Sequence, residues 1–483
     1  MTRSIRFFCF AVLILGLGLG GCAPKGPDVT RFGLADAVLS RDLEILPQSL
    51  MAFADRNGPD AALMESARQG REDERFNERF FAAWATGYER HPETEIFEGM
   101  HNMSANGFAE NLRPWGRERW ESLAANSFKE AYGTFPVRPA ITVAVTHLRR
   151  MPTDAPWFRN PGTAGEGFPF DYLQNSALWP GTPVAVSHVS RDRQWVYAQT
   201  ALVSGWTQAE NVAAVDAKFM REWRGRPLAV IVRDNTDISL TGGKPDAVTG
   251  GPATVRTHLG TILPLAGTPR GKRPSKDLGI PVLVPVRGAD GKALAMTGLA
   301  PTYAIWRKPA PLTPANIARA GDAMMGQPYG WGGLFALRDC SATTHDLFAP
   351  FGIWLPRNSR PQGETGRRIE LADLRPDEKE ARIMRDGVPF FSLVSMKGHV
   401  GLYLGTYTVD GKETPVMFHN LWGLRVKKGR GKGAPDGRAV IGKAVVTTLR
   451  PGTEHPSISS PAGLLDRITG LAVLPEPLPD EDL

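Results

Sequence analysis

Cys340 stands directly after an aspartate and opens the run Cys340-Ser341-Ala342-Thr343-Thr344. Asp339 can cap a helix that starts at Cys340, which sets the sulfur at the positive end of the helix dipole, where a thiolate is favoured. A thiol placed there is a candidate nucleophile; the competing reading is a small apolar residue packed into a core. Two imidazoles further along weigh toward the nucleophile. His399 opens an alternating strand at Gly398-His399-Val400, and His419 follows a turn containing Asp410-Gly411, on the strand expected to pair with it. Cysteine, histidine and a second imidazole supply a nucleophile, a base, and a group that fixes the tautomer and direction of the base. Asn420 is the alternative third group. A hairpin turning symmetrically at Asp410-Gly411 does not set His399 opposite His419, so bringing them together requires a bulge or a displaced loop.

The chain has three cysteines, Cys9, Cys22 and Cys340. Met1 to Arg6 carries two arginines, Phe7 to Leu19 is an apolar run, and Leu19-Gly20-Gly21-Cys22 follows. That pattern reads as a secretion signal and resembles a bacterial lipoprotein signal, which implies cleavage before Cys22 and lipidation of its thiol. Cys9 would leave with the signal, so no disulfide framework is available and Cys340 is a lone thiol in an exported protein. Ala23 rather than Asp after the lipidated cysteine favours the outer membrane, with the protein facing the periplasm.

The elements that must position these residues follow from texture. With 483 residues and 42% hydrophobic content, several domains are expected. Residues 1–21 are the signal and 22–59 a tether. Phe76, Phe80, Phe81, Trp84 and Tyr88 recur at helical spacing, as do Trp120, Leu123, Ala124 and Phe128, so 60–158 is expected to be a helical module. Short β runs set off by Gly, Pro and Asp then suggest two small barrels, 159–225 and 226–306. The evidence for them is Pro183 to Val189 with Gln194 to Thr200, and Pro281 to Val286 with Ala293 to Met296 around the Asp290-Gly291 turn. A Gly/Pro/Lys-rich loop, 266–279, interrupts the second. In the remainder, 307–483, Thr313-Pro314 starts a helix that Gly326 is placed to end. A helix from Cys340 to about Phe351 and strands at 389–396, 399–405 and 414–419 complete an α-then-β order. The formal charge of +7 is spread out, with basic spots at Arg270 to Lys276 and Lys427 to Lys432. It fits solubility or an anionic wall surface, and no nucleic-acid reader motif is present. The other histidines show no ligand spacing, so no metal site and no cofactor are expected.

Five pieces in order, Gly326-Gln-Pro-Tyr-Gly-Trp-Gly-Gly333, Asp339-Cys340-Ser341, Asp346-Leu-Phe348, Phe351-Gly-Ile-Trp-Leu-Pro-Arg-Asn-Ser359 and Gly398-His-Val400, together resemble the NlpC-type cell-wall cysteine peptidases. The segments Phe168 to Gln174, Gly181-Thr-Pro183, Trp195-Val-Tyr197 and Gly205-Trp206 resemble the first bacterial SH3-like barrel of multidomain members. The resemblance implies a multidomain α+β chain: a helical N-terminal stabilising module, two SH3-like β-barrels and a papain-like α+β peptidase domain. It implies that Cys340 attacks, His399 shuttles the proton and His419 orients His399. The bond cut would be that between γ-D-glutamyl and the diamino acid of peptidoglycan stem peptides or muropeptides. Tyr329, Trp331, Asp339 and Ser341 are expected to meet substrate, Asp339 by receiving the free amine of the first alanine. Ala342 departs from the pattern, standing where many members have glycine. A papain-like N-acetylmuramoyl-L-alanine amidase and a non-catalytic wall-binding lipoprotein are the alternatives. The protein is expected to act as a monomer, held at the membrane by its lipid.

Overall fold

The computed structural model describes residues 40–241, 254–267, 279–427, 436–455, 457–460 and 462–475. The expected signal, Cys22, most of the 266–279 loop, the basic cluster beyond Lys427 and the acidic tail lie outside them.

The first described segment departs from expectation. Instead of a loose tether, residues 40–59 form two one-turn helices, Asp42–Ile45 and Met51–Ala54. Leu46, Leu50, Phe53 and Ala54 are buried in one core with Leu347, Phe348, Val400 and Phe418. Burying Leu50 and Phe53 fully contributes about 2 kcal/mol each, enough to hold helices too short to stand alone. Asp322, at the end of the Pro314–Asp322 helix, accepts from the Leu50 N–H and from Ser49 Oγ at 2.5 and 2.9 Å. Helices so short carry no periodicity for a sequence reading to find.

The expected aromatic stripe straddles a helix end: Ser66–Phe80 is α-helical and Ala82–Trp84 a 3-10 turn. The second stripe lies on and just beyond Arg117–Asn126. Within 60–158, however, Arg138–Thr142 and Thr146–Arg149 are strands of a seven-stranded antiparallel sheet. Its order is Gln174–Leu178, Thr146–Arg149, Gly205–Gln208, Trp195–Gln199, Pro183–Val189, Arg138–Thr142, Val212–Ala214. β-branched residues suit such a sheet, and Pro183–Val189, with three valines, is buried along most of its length, with Val184 in the core. The chain then forms a four-stranded and a three-stranded sheet between Leu228 and Arg307. The hairpin Ile280–Arg287 with Ala293–Ala300 turns at Asp290-Gly291.

The C-terminal part is α+β. Thr313 caps Pro314–Asp322 by accepting from the Asn316 N–H at 3.3 Å. Cys340–Phe348 is the central helix, continued by a 3-10 turn at Ala349–Phe351. It packs on a six-stranded antiparallel sheet ordered Arg367–Glu370, Ile468–Val473, Ser392–Met396, His399–Val409, Lys412–Lys427, Asp436–Thr448. Ile468–Val473 is a further strand, between Arg367–Glu370 and Ser392–Met396. The molecule thus has a helical N-terminal region, SH3-like β domains and a C-terminal α+β domain.

Candidate active site

Asp339 is the N-cap of the central helix. Its Oδ1 accepts from the Ala342 N–H at 2.8 Å, so Cys340 occupies the first helical position as expected. The sulfur is almost fully buried, with Cys340 6% exposed. Burial is the main reason its thiol is pushed up to about 12, with the Asp339 carboxylate adding to the rise. Backbone N–H groups of Val400 and Ser341 and the Arg357 guanidinium pull the other way. Desolvation therefore outweighs the stabilised thiolate inferred from helix position, and at neutral pH the resting group is a thiol.

His399 immediately precedes Val400, which ties it to the sulfur's edge of the sheet. Its Nε2 lies 2.8 Å from His419 Nδ1, and His419 Nε2 lies 3.1 Å from Thr447 Oγ1. Burial, aided by Arg467, lowers His399 to about 4, and burial drives His419 well below its ordinary value. Both rings are neutral at neutral pH, so a thiol and a neutral imidazole face the reaction.

The anticipated bulge is present. The hairpin His399–Val409 with Lys412–Lys427 keeps the turn-centred register from Val409↔Lys412 to Gly405↔Val416 and shifts between Tyr403 and Gly405. Continuing the shifted pairing sets Gly401, not His399, across from His419, and the two rings meet on the diagonal. Glycine suits the close approach there: a Cβ on Gly401 would lie 3.0 Å from the His419 Cβ and 3.1 Å from the Phe418 carbonyl oxygen. Asn420 points elsewhere, its Nδ2 donating to the Arg338 carbonyl at 2.9 Å.

The residues expected to meet substrate divide. Ser341 is buried and lies 3.2 Å from both Asp339 Oδ1 and Arg357 Nη1, so it belongs to the support of the site. Asp339 is occupied as well: besides Ala342 and Ser341 it accepts from the Gly332 N–H at 3.1 Å and from both Arg357 Nη atoms at 3.1 and 2.9 Å. An ionised carboxylate offers about four lone-pair sites, so an incoming amine would have to share oxygens already taken. Tyr329 and Trp331 are half-buried in an aromatic group with Phe170, Tyr172 and Trp422, Trp331 against Phe170 at 5.2 Å between centroids. Trp331 Nε1 is buried without a hydrogen-bond partner.

Gly332 and Gly333 permit a close backbone approach. A Cβ on Gly333 would fall 2.6 Å from the Ala177 amide nitrogen, and one on Gly332 2.9 Å from the Gln174 carbonyl oxygen. The glycines let the loop before the helix lie against the first barrel's edge strand, where Gln174 Nε2 donates to the Gly332 carbonyl at 2.8 Å.

Three supporting groups carried no assigned role in the sequence reading. Arg357 pairs with Asp339 and also donates to Ser176 Oγ of the first barrel at 2.8 Å. Its signal was a single cation after the apolar stretch Phe351 to Pro356. Arg338, buried, pairs bidentately with Asp234 at 2.8 Å and with Asp346 at 2.6 Å, tying the residue before the cap to the Leu228–Arg307 region. Thr447 closes the imidazole chain and has no local sequence signature. His345 is held by Asp346 at 3.0 Å.

A helix-borne cysteine with an imidazole pair on an adjoining sheet defines a papain-like arrangement on an α+β domain. Family models agree: one described as NlpC/P60 family matches residues 326–430, one described as the NLPC_P60 stabilising domain, N term, matches 7–132, and an SH3 domain model of SH3b1 type matches 156–208. The C-terminal α+β domain is thus of NlpC/P60 type, preceded by a match to that family's stabilising domain. It is 31% identical over 97 residues to a γ-D-glutamyl-L-lysine dipeptidyl-peptidase of Bacillus subtilis (strain 168), covering 19% of this chain and 30% of that one. A Bacillus cereus protein of the same name is 30% identical over 99 residues, 19% of this chain and 27% of its own. The chain thus spans less than a third of the length of these relatives. A solved structure described as an NlpC/P60 endopeptidase from Photobacterium damselae subsp. piscicida superposes with a TM-score of 0.77 at 23% identity, covering 89% of this chain and 98% of that one. It shows the same fold.

Proposed function

We propose that the protein is a cysteine endopeptidase that hydrolyses the γ-D-glutamyl–diamino acid bond of peptidoglycan stem peptides. The observation that carries the reading is the imidazole pair, His399 Nε2 to His419 Nδ1 at 2.8 Å, on the strand whose next residue directs its N–H toward the Cys340 sulfur. With thiol and imidazole both neutral, His399 acts as general base: it takes the thiol proton as sulfur bonds to the scissile carbonyl carbon, then passes it to the leaving amine. Water attacks the thioester with His399 again accepting the proton; the carbon–sulfur bond breaks, and His399 returns that proton to the Cys340 sulfur. The Cys340 backbone N–H, at the start of the helix, is the natural donor to the oxyanion. The bond specificity rests on the family match and on the printed activity of the two partial relatives.

The site is proposed to receive stem peptides or muropeptides at the aromatic junction of first barrel and peptidase. Cys22 is proposed to carry a lipid that holds the protein, as a monomer, at the cell envelope. Digestion of defined muropeptides with the full chain, followed by mass spectrometry, tests the reaction. Products split after γ-D-glutamate are expected. Release of an intact stem peptide from the sugar would establish an amidase instead, and no cleavage at all would leave a wall-binding scaffold.

A further inference from the structure

The imidazole chain does not end at His419. Thr447 Oγ1 lies 3.1 Å from His419 Nε2 and donates to the Thr448 carbonyl oxygen at 2.7 Å. Thr448 is itself fixed from the far side: Asp42 Oδ2 accepts from the Thr448 N–H at 2.8 Å and from its hydroxyl at 2.7 Å. Thr447, Thr448, His419 and Asp42 are all buried, so none of these bonds can be exchanged freely for water.

A carbonyl oxygen only accepts, and a hydroxyl has one hydrogen. That hydrogen is committed to Thr448, so Thr447 can meet His419 only as an acceptor. His419 must then carry its proton on Nε2 and present a bare Nδ1. A bare Nδ1 2.8 Å from His399 Nε2 requires the proton of His399 to sit on Nε2, which leaves Nδ1 as the unprotonated nitrogen. The opposite chain of tautomers would put a proton on His399 Nδ1, and it would also set two oxygen lone pairs, of Thr447 and Thr448, against each other at 2.7 Å.

We propose that Thr447 is a positioning residue for the reaction: it selects, through His419, the tautomer in which His399 can take the Cys340 proton. His419 alone cannot make that selection, because a neutral imidazole serves equally well as donor or acceptor on either nitrogen. The asymmetry enters at the carbonyl end of the chain, on the strand Asp436–Thr448.

This rests on the peptidase reading, but its first test does not need a substrate. In the 15N-histidine-labelled full chain at neutral pH, His399 should show a protonated Nε2 and an unprotonated Nδ1, and His419 likewise. Thr447→Val, isosteric but with no acceptor, should give mixed tautomers at both rings. Its rate of Cys340 alkylation by iodoacetamide should fall roughly tenfold, and kcat on a stem peptide ten- to a hundredfold with KM unchanged, within the range of a general base's contribution. Thr447→Ser should restore all three readouts, which a merely structural role for the methyl-bearing side chain would not do. His399 protonated on Nδ1 in the wild type overturns the proposal. So does a Val variant with wild-type tautomers and rates, or a Ser variant no better than Val. Assigned tautomers in a wild type that cleaves no muropeptide would uphold Thr447 and dismiss the peptidase reading alone.

Discussion

Replacing Arg357 by methionine isolates the pair beneath the nucleophile. Arg357 and Asp339 meet through two hydrogen bonds at 3.1 and 2.9 Å, and both are buried. Removing the guanidinium strands a carboxylate that still caps the helix, and breaking a buried pair from one side costs about 3–5 kcal/mol. Methionine fills most of the arginine volume, so the loss of packing is small beside that figure. Asp339→Asn alone strands the guanidinium, though Asn still accepts from the Ala342 N–H, and costs about 2–3 kcal/mol. The double variant leaves neither charge and should cost at least 2 kcal/mol less than the two losses added together. The assay is reaction of Cys340 with a thiol reagent across a urea series, which reports the unfolding of this domain in a chain too large to be treated as one two-state unit. At roughly 2–3 kcal/mol per molar urea, Arg357→Met should lower the midpoint by about 1–2 M. Strict additivity of the two midpoint shifts would refute the claim that these groups stabilise each other, and would reduce Arg357 to a strut against Ser176.

Cys340→Ala and His399→Ala should each abolish hydrolysis with unfolding midpoints close to wild type; turnover by either variant on defined muropeptides would sink the mechanism. His419→Ala should keep a residual rate, about one to two powers of ten below wild type, because it removes orientation and leaves nucleophile and base in place. The acid limb of kcat/KM should fall near pH 4 rather than near 6.5, because burial and Arg467 depress His399 while Asp339 opposes them. A depressed histidine stabilises the fold above its unfolded value and loses that contribution as pH drops through the folded one. Between about 6.5 and 4 the chain should therefore lose roughly 3 kcal/mol from His399 alone, readable as a falling thermal midpoint. On the alkaline side the thiol is pushed up to about 12 by burial and by Asp339, against Arg357. Iodoacetamide alkylation should accordingly keep rising from pH 7 to 10, and a plateau with a midpoint below 7 would mean a thiolate–imidazolium pair instead.

What could be read from the sequence and what could not separate along a physical line. Cys340, its aspartate cap, the Thr313-Pro314 helix start and the Asp290-Gly291 and Asp410-Gly411 turns are local: each depends on residues within a few positions, and each is where it was expected. His399 and His419 were found because strand alternation and the turn between them restrict how the two strands can meet, and even the need for a bulge followed from counting residues. Arg357, Thr447 and Asp42 are of another kind. Arg357 lies 17 residues beyond Cys340 and Asp42 lies in a segment read as tether, and neither has a partner near it in sequence. Their partners exist only once the fold has brought Asp339, Ser176 and Thr448 to them. The same limit applies to Gly332 and Gly333. A pair of glycines declares that something approaches the backbone closely, but not what, and here it is the Gln174–Leu178 strand of the first barrel. A lone buried cation after an apolar run makes a narrower statement. Arg357 follows Leu355-Pro356, and a guanidinium that enters a core must find a carboxylate there. Arg357 supplies the countercharge to Asp339, whose carboxylate opposes thiolate formation at Cys340.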